Sequence, residues 1–409
     1  MKRILVLVSL FFALISLTCA QRVRVGAEVL LEKHLQLLSE QRVGIICNQT
    51  SVLPNGVHLV DTLLKEGIRI TALFSPEHGV RGTEEAGTLV RDSLDVKTGL
   101  PIYALYGKIR KPTPVMLQNI DVLVFDLQDV GARFYTYANT MAYAMQAAAE
   151  NKKKFIVLDR PNPINGIDIE GPVLDTTLRS FVGMFPIPIR HGLTLGELAK
   201  MIVGEHWIEN VSNLDLTVTP MEGWKREMWY NETSLPWIPP SPNMKTISTS
   251  TVYPGTCLFE ATNVSEGRGT DHPFEYVGAP WIDGDSLASR LKNLQIEGVQ
   301  FDPIQFTPSS GSITTLTPKY KGIQCGGVYI NVRDQKIFLP YRTALSVLES
   351  VKELYPHDLK FNGASFDRLA GNPGLRESFE GNEPIPYLAI EKDSSIQRYK
   401  KNRGPYLLY

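Results

Sequence analysis

Val122-Leu123-Val124-Phe125, followed by Asp126-Leu127-Gln128-Asp129-Val130-Gly131-Ala132-Arg133, decides the fold class. A short apolar run gives way at once to a dense polar turn. The same pattern occurs three more times. Val43-Gly44-Ile45-Ile46 leads into Cys47-Asn48-Gln49-Thr50, and Ile68 to Phe74 leads into Ser75-Pro76-Glu77-His78-Gly79. Phe155-Ile156-Val157-Leu158 leads into Asp159-Arg160-Pro161-Asn162-Pro163. Near-continuous apolar strands predict a parallel sheet covered on both faces. In such a sheet ligands bind beyond the carboxyl ends of the strands, so the four polar turns are expected to share one site.

Helical patterns fill the gaps. Val57, Val60, Leu63 and Leu64 form a stripe within 57–66, and Pro114–Asn119 and Tyr137–Glu150 also read as helices. Thr194 with Glu197 three residues on predicts a capping box opening a helix over 194–205. After about Ile208 the character changes. A Pro-rich loop spans 237–243, a polar Gly-rich stretch spans 258–274, a strand is expected over 326–332 and a helix over 342–354. The chain therefore divides into an α/β unit over 22–208 and an α+β unit over 209–409. Its 409 residues, 43% hydrophobic and 21% charged, suit two globular units.

The first twenty residues read as a secretory signal: Lys2 and Arg3, an apolar run from Ile4 to Leu17, then Thr18-Cys19-Ala20 before Gln21. A secreted or periplasmic product follows. Cys19 raises a lipoprotein alternative that Ser16 and Thr18 suit poorly. No later segment is apolar enough to span a bilayer, and the net charge of -1 gives no basis for nucleic-acid binding. Cys47, Cys257 and Cys325 are odd in number and widely spaced, which predicts small buried side chains.

Several residues carry candidate chemistry. Glu77, with His78 beside it, ends a buried strand, where desolvation equips a carboxyl to donate a proton; helix capping or a pair with Arg81 is the plainer role. Asp126, Gln128 and Asp129 suit glycosyl transfer, which uses two carboxyl groups, and equally a hard metal; an Asx turn at Gly131 would account for Asp129 alone. Tyr135, within Phe134-Tyr135-Thr136-Tyr137, offers a sugar-stacking wall. Arg133, Arg160, Arg190 and Arg268 can each grip a carboxylate with two hydrogen bonds, or form ordinary ion pairs. Asn48, Asn162, His191, Asn243 and Glu266 complete the expected substrate-binding set. Gly284-Asp285-Ser286-Leu287 spells an esterase signature but sits where helix capping explains it. No Walker loop, G-x-G-x-x-G or H-E-x-x-H occurs, so no nucleotide or metal cofactor is expected.

Taken in order, Ser75–Gly79, Asp126–Tyr137, Asp159–Pro163, Arg190-His191-Gly192 and Glu266-Gly267-Arg268-Gly269-Thr270 resemble the exo-β-N-acetylmuramidases of the NamZ type. The resemblance covers essentially all of the chain after residue 20. It implies a Rossmann-like first half, a cleft between two domains, Glu77 as catalytic acid, and release of N-acetylmuramic acid from peptidoglycan-derived muramyl saccharides. On chemical grounds alone, and not from the resemblance, Asp126 or Asp129 is expected to stabilise positive charge or polarise the sugar's acetamido group, and Arg160 or Arg268 to hold the lactyl carboxylate. Two rival functions use the same residues: a metal-dependent cell-wall amidase built on His78, His191, His272, Glu77 and Asp126, and a muropeptide-binding protein without catalysis.

Overall fold

The computed structural model describes residues 22–81, 93–309, 317–381 and 393–409. The expected signal segment lies outside them. Seven strands form the large sheet: β1 (Val43–Cys47), β2 (Ile70–Ser75), β3 (Ser93–Leu94), β4 (Pro101–Ala104), β5 (Val122–Asp126), β6 (Lys154–Leu158) and β7 (Asp215–Thr219). Their order is β3-β4-β2-β1-β5-β6-β7. All neighbours run parallel except β3 against β4. From β1 the chain builds outward first toward β2 and β4, then returns to add β5, β6 and β7 on the other side. That reversal opens a crevice at the carboxyl ends of β1, β2 and β5.

β1 and β5 are buried along their whole length, as their unbroken apolar character requires. One face of the sheet packs Val43, Ile45, Leu73, Val122 and Val124 against Leu59, Val60 and Leu63 of the helix Leu59–Lys65. The other face packs Ile46, Phe74 and Phe125 against the Ala- and Met-rich helix Thr136–Glu150. The sheet is thus the middle of three layers. The helix Leu195–Gly204 opens with Thr194 as N-cap and Glu197 returning the bond.

β7 lies beyond residue 208 in the sequence, yet it pairs with β6 and closes that edge of the large sheet. A second, antiparallel sheet follows in the order β8 (Tyr276–Ala279), β10 (Cys325–Val332), β9 (Val299–Phe306). The helix Gly284–Asn293 packs on β9 and β10, and the helix Pro340–Leu354 packs in turn against that helix and against the helix Ile247–Thr256. Gly284–Asn293 is a helix with Asp283 as its N-cap, so the esterase-like tetrapeptide is a helix start. The two sheets share one hydrophobic core, which runs from Phe125 and Phe155 to Val328 and Leu345. Cys47, Cys257 and Cys325 are free and buried.

Candidate active site

A cavity opens at the carboxyl edge of the large sheet. Its walls come from three places. Glu77 and His78 follow β2; Phe134 and Tyr135 lie between β5 and the helix Thr136–Glu150, which Thr136 opens; Ser241, Asn243, Met244, Tyr253, Arg268 and Phe274 come from later in the chain. Of the expected site residues, the structure brings Glu77, His78, Tyr135, Asn243 and Arg268 to this one space.

The turn that delivers Glu77 is backbone-strained. His78 has φ +76° and Gly79 φ +79°. A left-handed histidine costs free energy that the surrounding structure must supply, and it turns the chain sharply so that Glu77 faces inward. Thr136 then donates its hydroxyl to Glu77 Oε2 at 2.9 Å. The Tyr106 phenol is pushed up, first by burial, then by the Glu77 charge and a hydrogen bond to it. Tyr106 therefore stays protonated and acts as a second donor to the carboxyl.

Arg268 reaches the cavity from a loop whose glycines, Gly267 and Gly269, both have φ near +75°. Its guanidinium lies 4.9 Å from the Phe274 ring centroid, pairs with Glu260 at 2.5 Å and sits 3.4 Å from Glu266. Burial pulls the guanidinium pKa down, but Glu260 and Glu266 outweigh it and keep Arg268 charged. Glu266 is buried and also takes Lys319 at 2.9 Å, so it orients Arg268 from behind. Tyr253 ties the wall together, standing edge-on to Phe134 at 5.2 Å and to Phe274 at 4.8 Å.

The structure does not bring the remaining expected residues into the lining of this cavity. Asp126 is 0% exposed and Arg160 is 8% exposed, and they close a two-bond pair at 2.6 and 2.9 Å. Neither faces the cavity. Arg160 and Gln128 border a different, narrower hollow with Val25, Leu53 and Leu235. Gln128 gives its amide hydrogens to the carbonyls of Asp129 and Pro161. Arg133 is buried and donates to the carbonyls of Pro172, Ile187 and Leu369. Arg190 is held by Glu170 and Asp168, at 2.9 and 3.0 Å. His191 is buried, accepts from Leu193 N, and has its pKa lowered to about 3 by burial and by Arg403 and Arg133. Asn162 bonds the Leu193 carbonyl. Asn48 donates to the Tyr137 phenol, which donates onward to the Pro240 carbonyl.

Asp129 falls between the two groups. Its Oδ2 accepts from Gly131 N at 2.8 Å, the Asx turn weighed above. Its Oδ1 is buried and has no hydrogen-bond partner among the described residues. Burial pushes its pKa up to about 7 against backbone bonds from Gly131 and Val130. Its charge is felt by the Tyr135 phenol, which burial raises further. Asp129 therefore backs the cavity through Tyr135. Among the described residues no group of three histidine, cysteine or acidic side chains is arranged to hold a metal ion.

Phe134, Thr136, Ser241, Met244, Tyr253 and Phe274 were absent from the expected set. Phe134, Thr136 and Phe274 lie within stretches singled out above, so their neighbourhood was a signal. Ser241 and Met244 flank the named Asn243. Tyr253 lies in the helix Ile247–Thr256, and nothing in its local sequence marks it.

Two family models account for nearly the whole chain. The N-terminal model of exo-β-N-acetylmuramidase NamZ matches residues 43–248, and the C-terminal model matches residues 251–409. The chain belongs to the NamZ exo-β-N-acetylmuramidase family. A Bacillus subtilis relative, peptidoglycan β-N-acetylmuramidase NamZ, is 46% identical over 390 residues, covering 95% of this chain and 92% of that one. Two crystal structures of DUF1343 family proteins from Bacteroides fragilis are also similar. They superpose with TM-scores of 0.86 and 0.78 at 38% and 35% identity, each over 95% of this chain and 99% of the other. The three-layer first unit and the small second sheet are therefore the family's two-part architecture.

Proposed function

We propose that this protein is an exo-acting glycoside hydrolase that removes N-acetylmuramic acid from the non-reducing end of peptidoglycan fragments. The observation that carries this reading is a single cavity with a carboxyl on one wall and a charged guanidinium on another, Glu77 and Arg268. The first is what glycosidic bond cleavage needs, and the second is what a lactyl carboxylate needs. That carboxylate is the group that separates muramic acid from N-acetylglucosamine. The Bacillus subtilis relative and both family models carry the name of the same sugar, N-acetylmuramic acid.

In this reading Glu77 gives its proton to the glycosidic oxygen as the bond to the anomeric carbon breaks. Thr136 and Tyr106 hold the carboxyl in position. Tyr135, Tyr253 and Phe274 present ring faces and edges to the sugar. The positive charge that develops at the anomeric centre is met by the substrate's own acetamido oxygen or by Asp129, since Asp126 is already neutralised by Arg160. Arg268 holds the lactyl carboxylate and Asn243 a hydroxyl or acetamido group. The basic start and apolar run of residues 1–20 support export, with a secreted or periplasmic enzyme after cleavage before Gln21; N-terminal sequencing of the exported protein tests this point.

Glu77→Gln preserves shape and removes the transferable proton. Turnover of a chromogenic β-muramide should fall by about 10²–10⁴-fold with thermal stability unchanged. A variant that retains near-normal turnover removes Glu77 from the acid role. Following the released sugar by proton NMR on a defined muramyl disaccharide gives the anomer formed and hence the stereochemical course.

A further inference from the structure

A line of contacts runs outward from the catalytic carboxyl to the protein surface. Glu77 bonds Tyr106, the Tyr106 ring lies 6.0 Å from the Phe181 ring, and the Arg110 guanidinium carbon stands 4.3 Å from the Phe181 centroid. The helix Thr136–Glu150 fixes both ends of this line. Thr136 grips Glu77, Asn139 donates to the Phe181 carbonyl at 2.8 Å, and Tyr143 stacks on the Phe181 ring at 6.2 Å. Arg110 is exposed, and among the described residues no carboxylate pairs with it. Its neighbour Lys111 is by contrast paired with Glu150 at 2.8 Å. A guanidinium pinned by its face to an aromatic ring keeps its N–H edges aimed outward, so little rotamer freedom is lost when it binds an anion. Lys108 is exposed in the same turn and adds a second positive charge.

We propose that Arg110, seated on Phe181, is an anion-reading subsite on the leaving-group side, which binds a carboxylate carried by the released fragment. The position follows from the chemistry. A general acid stands beside the glycosidic oxygen it protonates, so the departing sugar lies along the flank of Glu77, where Tyr106 is. N-acetylglucosamine is neutral, and in a glycan freed of its stem peptides the first carboxylate beyond it is the lactyl group of the next muramic acid. Arg110 therefore favours fragments of three or more sugars over the disaccharide. The inference rests on the muramidase reading above and names which substrates of that site are preferred.

The test compares two substrates: the disaccharide of N-acetylmuramic acid and N-acetylglucosamine, and the trisaccharide extended by a second N-acetylmuramic acid. The wild type should show higher kcat/KM on the trisaccharide, and the advantage should shrink in high salt because the guanidinium is exposed. Arg110→Gln should cost the trisaccharide about tenfold more than the disaccharide, mainly through KM. Phe181→Leu, which frees the guanidinium, should show the same substrate dependence with a smaller loss. Esterifying the lactyl carboxylate of the reducing-end muramic acid in the trisaccharide should reproduce Arg110→Gln in the wild type. Equal losses on both substrates, or no wild-type preference, would overturn the Arg110 subsite and leave the muramidase reading standing. Failure of the wild type to release muramic acid from either substrate would overturn the muramidase reading itself.

Discussion

Two groups of charged side chains crowd the same edge of the large sheet. In one, Glu77 and Arg268 line an open cavity, where an incoming substrate can exchange partners with them. In the other, Asp126, Arg160, Arg133 and Arg190 are sealed from solvent, with their hydrogen bonds directed at carboxylates or backbone carbonyls of the chain itself. Both groups are built from carboxylates and guanidiniums. The difference is where the partner comes from. A buried pair is satisfied within the chain and fixes loop geometry, whereas a cavity group keeps capacity for a ligand.

The comparison breaks most visibly on stability. Arg160→Ala leaves the Asp126 carboxylate buried without its guanidinium, and should destabilise the fold by about 3–5 kcal/mol in denaturant titration. Glu77→Gln should not move the midpoint at all. If Arg160→Ala lost turnover with an unchanged midpoint, the division between scaffold and cavity would be wrong.

Arg268→Lys sharpens the other side. A lysine retains the charge but not the two-bond fork, so kcat/KM on a muramyl substrate should fall about 10–100-fold with little loss of stability. Reducing the lactyl carboxylate should then cost the variant much less than the wild type. Equal costs would remove the clamp from Arg268.

Asp129 tests the boundary between the groups through pH. Its folded pKa, about 7, is raised above the unfolded value of about 3.9. Between those values the folded protein holds the proton that the unfolded chain has lost, so this group's contribution to stability falls as pH rises from about 4 to about 7. Asp159, raised to about 6 chiefly by burial, acts with the same sign. Asp129→Asn should keep the fall below pH 6 and flatten the Tm profile above it. An unaltered profile above pH 6 would show that Asp129 is charged in the folded protein.

The smallest effect is at Thr194, which caps the helix Leu195–Gly204 and donates to Asp159 at 2.7 Å. Thr194→Ala should cost about 1 kcal/mol with activity retained.

What was legible in the sequence follows the same division. β1, β2, β5 and β6 were readable because buried parallel strands must be apolar throughout, and the Thr194–Glu197 box because its two bonds are local. β7 was not readable. Asp215-Leu216-Thr217-Val218-Thr219 alternates as an edge strand does, and only its pairing with β6 places it. The helix Ile247–Thr256 was hidden by Pro254, Gly255 and its β-branched residues, which disfavour a helix unless tertiary packing holds it. In the site, Glu77 and Arg268 could be nominated from chemistry, but Arg160 and Arg133 had equal claim. Their partners lie 34 and 236 residues away, and pattern alone does not show such distances.

The continuous core beneath both sheets has a practical consequence. Apolar side chains from Phe125 to Leu345 are mutually packed, and Arg133 stitches the Leu369 carbonyl to the first unit. Neither half owns a complete interior. Calorimetry of the whole protein should therefore record one endotherm, and either half expressed alone would present a raw apolar face and aggregate.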